Sequence, residues 1–210
     1  MSDICVVVQG RTEIDFVKVL KEKFNIPLIF STWEDADRSV YSDDDVVLYN
    51  QYPSDRGPLN FHLQRISSLN GILKAKELGF KRVIKWRCDL EPNNSDELLK
   101  LFKLDCINFH SFVNHADGYL TDYYMGGNID DMIELFSIDM NPPYPEFAFT
   151  HKIYELKFDK NINFIINKLT ENNNILFKQR DSSYWITRHQ NDTMYVDRLP
   201  EYINSVYIKQ

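Results

Sequence analysis

Glycine-rich phosphate loops are missing from this sequence: it holds seven glycines, no G-x-G-x-x-G after a strand and no nucleoside-triphosphatase loop, which disfavours a nicotinamide-type dinucleotide site. Cysteine is scarce too. Cys5, Cys88 and Cys106 are odd in number and widely spaced, two of them in apolar runs, which supports neither a disulfide framework nor a zinc cluster and fits a reducing compartment. No apolar run approaches membrane-spanning length, and Met1-Ser2-Asp3 leads straight into a short apolar strand, so a soluble, cytosolic protein is expected. Positive charge is also in deficit. Lys and Arg total 24 against 31 Asp and Glu, a net charge of −7 with the signs interleaved, which argues against a general nucleic-acid surface; any nucleotide is expected to be small. What is abundant is core material: 43% hydrophobic and 14% aromatic residues over 210 positions suffice for one sizeable core in a single domain.

The β-branched run over residues 4–8 predicts a strand, and residues 13–24 place Ile14, Val17, Leu20 and Phe24 on one helical face. Apolar runs at 26–30 and 46–49 read as two more strands, separated by acidic loops at 34–37 and 42–45. An amphipathic helix over 60–78 leads into a strand starting at Arg82, and right-handed crossovers make these strands parallel. Farther on, Ser95 caps a helix to Leu101, 105–109 returns as strand, and 119–125 is a strand ending at Gly126-Gly127 before Asn128 caps a helix over 129–136. The prolines of 141–145 forbid regular structure; a mostly helical stretch from 146 to about 169 and strand-like runs at 175–177, 184–187 and 194–196 complete the chain. The expected class is α/β: a Rossmann-type mixed, mainly parallel sheet flanked by helices, with a smaller α+β C-terminal part.

The run Arg82-Val83-Ile84-Lys85-Trp86-Arg87-Cys88-Asp89-Leu90-Glu91-Pro92 reads as a buried strand that stops on an acid. Ligands of open parallel sheets bind outside the strands' carboxyl ends, and a carboxylate there suits a hard divalent cation that grips a diphosphate; otherwise the acid merely opens the next turn. Gln9, Gly10 and Arg11 end the first strand with an amide, a glycine and a cation, able to meet a base or phosphates or simply to turn the chain. Arg65 reads as an exposed helix arginine or as a bidentate diphosphate ligand, and Arg87, if buried, requires a charged partner. The literal D-x-D patterns, Asp35-Ala36-Asp37 and Asp43-Asp44-Asp45, fall in turns where acids are usually solvated, so position favours Asp89, with Asp35 and Asp37 in reserve. Glu146 begins a helix after the proline-rich loop, where a carboxylate can accept a proton from an acceptor hydroxyl. His151 and His189 lack the paired spacing of a metal site, although His189 lies in a polar, aromatic segment able to close over a ligand.

Val6-Val7-Val8-Gln9-Gly10, Phe30-Ser31-Thr32-Trp33, the stretch 65–71 and Ile84-Lys85-Trp86-Arg87-Cys88-Asp89-Leu90 occur in an order that resembles a GT-A-type glycosyltransferase, similar to the WavE-like lipopolysaccharide-synthesis family. The chain also resembles closely the amino-terminal domain of a large chlorella-virus capsid glycosyltransferase, over about its first 140 residues. The resemblance implies a single GT-A-like domain over 1–210, with a nucleotide-binding half to about 110 and an acceptor or closing half beyond it. It implies a UDP-sugar under the first four strands and Mn2+ or Mg2+ bridging the diphosphate and Asp89. Carried over, Gln9, Gly10 and Arg11 lie beside the nucleoside, Thr32 near the uracil or ribose, and Arg65 and Arg87 near the base or phosphates. Where the family style has two acids this chain has Arg87, so the metal set is completed by Glu91 or His189, or is partly replaced by the arginine's charge. Glu146 is then the base of an inverting transfer, or orients the acceptor in a retaining one.

The function so implied is metal-dependent transfer of a hexose or deoxyhexose, glucose- or rhamnose-like, from a UDP-sugar to a glycan or glycoprotein acceptor. The setting is glycoprotein or polysaccharide synthesis in the cytoplasm, the host's if the chain is viral, with neither nucleic acid nor a membrane span and with room for further domains in a longer chain. Sugar nucleotidyltransferases share this sheet, but Gln9-Gly10-Arg11-Thr12 is poor in glycine for their loop. A non-catalytic glycan- or protein-binding domain on the same fold is kept open by Arg87.

Overall fold

β1 (Ile4–Gln9) and α1 (Ile14–Lys23) open the chain, followed by β2 (Leu28–Trp33), β3 (Val46–Asn50), α2 (Phe61–Glu77) and β4 (Arg82–Arg87). Then come β5 (Leu90–Pro92), α3 (Ser95–Leu101), β6 (Cys106–His110), β7 (Phe112–Val113), β8 (Tyr119–Leu120), β9 (Tyr124–Asn128), α4 (Ile129–Phe136), β10 (Asn161–Ile165) and β11 (Phe177–Gln179). The computed structural model describes residues 3–12, 14–92, 95–102, 106–110, 112–113, 119–120, 124–140, 142, 148–149, 151–152, 161–165 and 177–179.

Seven strands form one sheet in the order β10-β6-β9-β4-β1-β2-β3. All run the same way except β9, which is antiparallel to both β4 and β6. The alternation along β1 explains why its sequence is continuously apolar: Cys5 and Val7 enter the core under α2 and α4, and Val6 and Val8 enter the core under α1. A strand covered on both faces has no polar side to show. Each fully buried Val or Ile adds roughly 1.5–3 kcal/mol of apolar burial. Among the described residues, no helix is long and apolar enough to cross a membrane.

Several expectations change at the element ends. On α1, Val17, Leu20 and Phe24 are buried as expected, but Ile14 is 57% exposed and Phe16 takes its place in the core. Ser95 is the first helical residue of α3, and its hydroxyl donates to the Lys23 carbonyl, joining two elements instead of capping one. The strand expected to end at Gly126-Gly127 runs through both glycines. There a side chain would not fit: a Cβ on Gly126 would lie 2.5 Å from the Phe102 ring and 2.9 Å from the Val83 carbonyl. Residues 161–165, expected in a helix, form β10 instead, because the outer edge of β6 offers a parallel partner from Asn161↔Cys106 to Ile165↔His110. Tertiary pairing overrides local pattern there. Residues 148–149 and 151–152 are helical, β11 reaches Gln179, and the runs at 184–187 and 194–196 lie outside the described residues.

Candidate functional site

β1, β2 and β4 end side by side on one edge of the sheet, with Gln9 in register with Arg87. β2 and β3 extend to one side of β1 and β4 lies on the other, so the strand order reverses between β1 and β4. Such a reversal leaves a crevice outside the carboxyl ends. A cleft of about 430 Å³ opens there. Gln9, Arg11, Trp33, Arg87, Cys88 and Asp89 line it from the strand ends, while Leu59, Asn60, Leu63 and Gln64 line it from the start of α2. A larger groove of about 540 Å³ runs between β3 and α2, but its one cation, Lys74, is already paired with Glu77 at 2.6 Å. The chemistry therefore points to the smaller cleft.

Hydrogen bonds beyond the strand ladders hold its floor. The Cys88 amide donates to the Gln9 carbonyl at 2.9 Å, and the Gly10 amide to the Ser31 carbonyl at 3.0 Å. The Trp86 indole N–H donates to the Leu90 carbonyl at 2.7 Å, closing the turn that carries Asp89. On the face away from the cleft the indole stacks on Tyr124, with centroids 5.2 Å apart, and meets Phe24 edge-on at 5.3 Å. So β4 stops at Arg87, and Asp89 sits in a tethered turn before the chain continues as β5, with Pro92 inside that short strand. Gly10 has φ +112°, a left-handed conformation, and a Cβ on it would lie 2.6 Å from Cys88 Sγ. Burial first, and the Asp89 charge second, push the Cys88 thiol up to about 12. It is a neutral wall of the cleft and no nucleophile at physiological pH.

The charged groups are arranged as two arginine–aspartate pairs. Arg87 Nε donates to Asp89 Oδ1 at 2.9 Å and its Nη2 to Oδ2 at 2.6 Å, a two-pronged contact between half-buried side chains. Arg11 Nη2 donates to Asp35 Oδ2 at 2.5 Å and to the Tyr52 hydroxyl at 3.0 Å, and that hydroxyl donates to Asp35 Oδ1 at 2.9 Å. Arg11, then the Tyr52 hydroxyl, hold the Asp35 carboxyl below the usual carboxylate range. The Tyr52 ring stacks on Trp33 at 4.8 Å with 12° between planes, and the Arg56 guanidinium lies 5.5 Å from its centroid. Above the cleft, Leu59 and Asn60 both have positive φ, 49° and 63°, and Leu59 is 75% exposed. Left-handed non-glycine residues cost roughly 1 kcal/mol each, and such strain gathers at ligand sites.

The sequence candidates divide accordingly. Gln9, Arg11, Arg87 and Asp89 come together around the cleft, with Gly10 in its floor. Thr32 is fully enclosed and faces the other side of the sheet: Ser31 bonds the Ser67 carbonyl of α2, whereas the Thr32 and Thr12 hydroxyls neighbour the buried Tyr41 phenol. Its neighbour Trp33 is what β2 presents. Arg65, half-buried on α2 next to Gln64, does not line the cleft. Asp37 accepts from the Ser39 amide and hydroxyl, capping the short turn Arg38–Val40, and Asp45 pairs with Lys21 at 2.7 Å. Glu146 and His189 lie outside the described residues. Sequence reasoning missed Tyr52, Asn60 and Gln64, although Gln64 was findable as a polar residue in the first turn of a helix that starts at the carboxyl edge.

No protein-family model and no curated relative matches the sequence. Among solved structures, a proposed nucleotide-diphospho-sugar transferase from Desulfovibrio desulfuricans superposes with a TM-score of 0.57 at 13% identity, over 98% of this chain and 99% of that one. The 4-diphosphocytidyl-2C-methyl-D-erythritol synthase of Anaerococcus prevotii gives 0.56 at 9% identity, over 94% and 99%. At such identities the likeness speaks for architecture alone: the chain has the mixed, mainly parallel sheet of these proteins, a GT-A-like fold.

Proposed function

We propose that this chain is a glycosyltransferase that moves a hexose or deoxyhexose, glucose- or rhamnose-like, from a UDP-sugar to a glycan or glycoprotein acceptor. The reading belongs with the WavE-like and chlorella-virus resemblance and with a cytoplasmic setting. One observation carries it: two guanidinium groups, Arg11 and Arg87, open onto one cleft at the strand-order reversal, beside an indole and three carboxamides. Arginine matches the geometry and charge of a diphosphate, and an aromatic edge with carboxamides suits a base and ribose. In this scheme Gln9, Gly10 and Trp33 hold the nucleoside, Thr32 keeps the end of β2 in place from behind, Arg11 and Arg87 meet the phosphates, and Arg65, outside the cleft lining, adds positive charge from α2 at longer range. The first 110 residues carry the donor and the remainder the acceptor.

Transfer breaks the bond between the sugar anomeric carbon and the diphosphate oxygen, which keeps the electron pair. The acceptor hydroxyl oxygen bonds the anomeric carbon and releases its proton to a base, Glu146 if configuration inverts. A manganese or magnesium ion on Asp89 is the cofactor this reading brings with it, with Glu91 or His189 completing the set. The described residues do not fit it: no three His, Cys, Asp or Glu side chains among them converge, and both Asp89 oxygens are engaged by Arg87.

A nucleotidyltransferase is the second reading, favoured by the comparable likeness to the erythritol synthase and disfavoured by the glycine-poor Gln9-Gly10-Arg11-Thr12 turn. Thermal shift with UDP, CDP, GDP and ADP, followed by hydrolysis assays on UDP-hexoses and pyrophosphate exchange with UTP, separates these. UDP is expected to stabilise most, with sugar release and no exchange. Exchange without sugar release supports the nucleotidyltransferase; stabilisation by none of the nucleotides leaves only a binding domain.

A further inference from the structure

We infer that Arg87 occupies the role of the divalent cation in this cleft: it exchanges its fork from Asp89 to the nucleotide's diphosphate, and Asp89 is a positioning residue, not a metal ligand. The inference rests on the nucleotide-sugar reading above and specifies how that site meets negative charge. A magnesium-like cation in a phosphate site takes most of its oxygens from water and substrate, but it needs at least one protein carboxylate oxygen open to it. At the end of β4 the geometry is different. The carboxylate of Asp89 is met on both oxygens by the guanidinium of Arg87, at 2.9 and 2.6 Å. Asp35, in the loop after β2, is also met on both oxygens, by Arg11 on one and by Tyr52 on the other. Two residues apart on one turn, Arg87 and Asp89 form a pair whose guanidinium is pre-aimed at the cleft and only half-buried, with 25% of its side chain exposed.

A diphosphate, though tetrahedral at phosphorus, offers the guanidinium fork a pair of oxygens as a carboxylate does, with more charge. On arrival it displaces Asp89 from the fork without requiring Arg87 to find a new direction. Asp89 thus does two opposing things: it orders Arg87 in the free protein and competes with the ligand for it. The lining residues contribute two guanidiniums, Arg11 and Arg87, against the single carboxylate of Asp89. When the sugar bond breaks, the electron pair moves onto a diphosphate already facing these cations, which is electrostatic stabilisation of the leaving group by fixed protein charge.

Isothermal titration of the full chain with UDP, in manganese chloride and again in excess chelator, is the test, with wild type, Arg87→Ala, Arg87→Lys and Asp89→Asn compared. Circular dichroism confirms that each variant is folded. The expected result is a dissociation constant that changes less than about twofold on chelation. Arg87→Ala weakens UDP about tenfold or more, Arg87→Lys recovers part of that, and Asp89→Asn binds as tightly as wild type or more tightly because the competitor is gone. A metal-ligand role for Asp89 demands the reverse. Loss of about tenfold on chelation, or on Asp89→Asn with Arg87→Ala unaffected, overturns the inference while leaving the nucleotide-sugar reading in place. Absence of binding by UDP and by every other nucleoside diphosphate, in wild type with and without manganese, overturns both.

Discussion

The Asp35 carboxylate, bonded to Arg11 and Tyr52, titrates below its ordinary value. A carboxyl whose folded-state pKa is depressed adds stability above its unfolded value of about 3.9 and loses it as pH falls through the folded value. In the free protein both partners of the Arg11–Asp35 pair are therefore charged at neutral pH, and the pair is lost as the carboxyl protonates in acid. A carbon-13 carboxyl titration is expected to give Asp35 a midpoint beneath about 3.9, and a midpoint at or above that value means that Arg11 is not held there in solution. At this scale the sequence was informative where a residue's role follows from its neighbours along the chain. Asp89 stands out because six strand residues precede it and a turn contains it. Tyr52 does not, since it reaches Arg11 from 41 positions away and no local spacing connects them. Lys85, inside an apolar strand, carries no local signal either, yet it is fully enclosed on the face it shares with Arg87.

Among the elements, α2 is the one that both roofs the core and walls the cleft. It lies close against β1 because position 71 is glycine: a Cβ there would sit 2.3 Å from Val7 Cγ1 and 3.1 Å from Ser31 Cβ. Gly71→Ala is accordingly expected to destabilise the fold by about 1–3 kcal/mol through overpacking, despite alanine's better helix propensity. Urea denaturation measures this, and a variant as stable as wild type or more so would show that the helix can lift off β1 at no cost. The same element marks where sequence reading succeeds. Its span, and those of β1, α1 and β4, are legible locally, although α2 buries the polar Gln64, Ser67 and Ser68 beside Phe61 and Ile72 and leaves Leu73 exposed. β10 and the passage of β9 through two glycines escape, because they depend on strands far along the chain: Gly126 is dictated by Phe102 and Val83, and Asn161–Ile165 by Cys106–His110.

At the scale of the molecule, chain order and spatial order part company at β9, which enters the sheet between β4 and β6. Residues beyond 110 thus complete the sheet that carries the cleft, and Tyr124 supplies the ring on which Trp86 stacks. A chain cut after residue 118 is expected to expose the β4 edge with its buried Ile84 and Trp86, and to aggregate or melt without cooperativity. Scanning calorimetry of that fragment checks it; a sharp, reversible transition would establish the first half as a folding unit of its own.

Trp86 and Arg87 are adjacent in the chain yet point to opposite sides of β4, the indole into the apolar layer beneath α1 and the guanidinium toward the cleft. Slippage of that strand by a single position would exchange the two, thrusting a permanent charge into the oily layer and a bulky ring into the cleft. A one-residue insertion or deletion within β4 that no bulge absorbs hence turns the site inside out, so the parity of this strand matters as much as the identity of any residue on it.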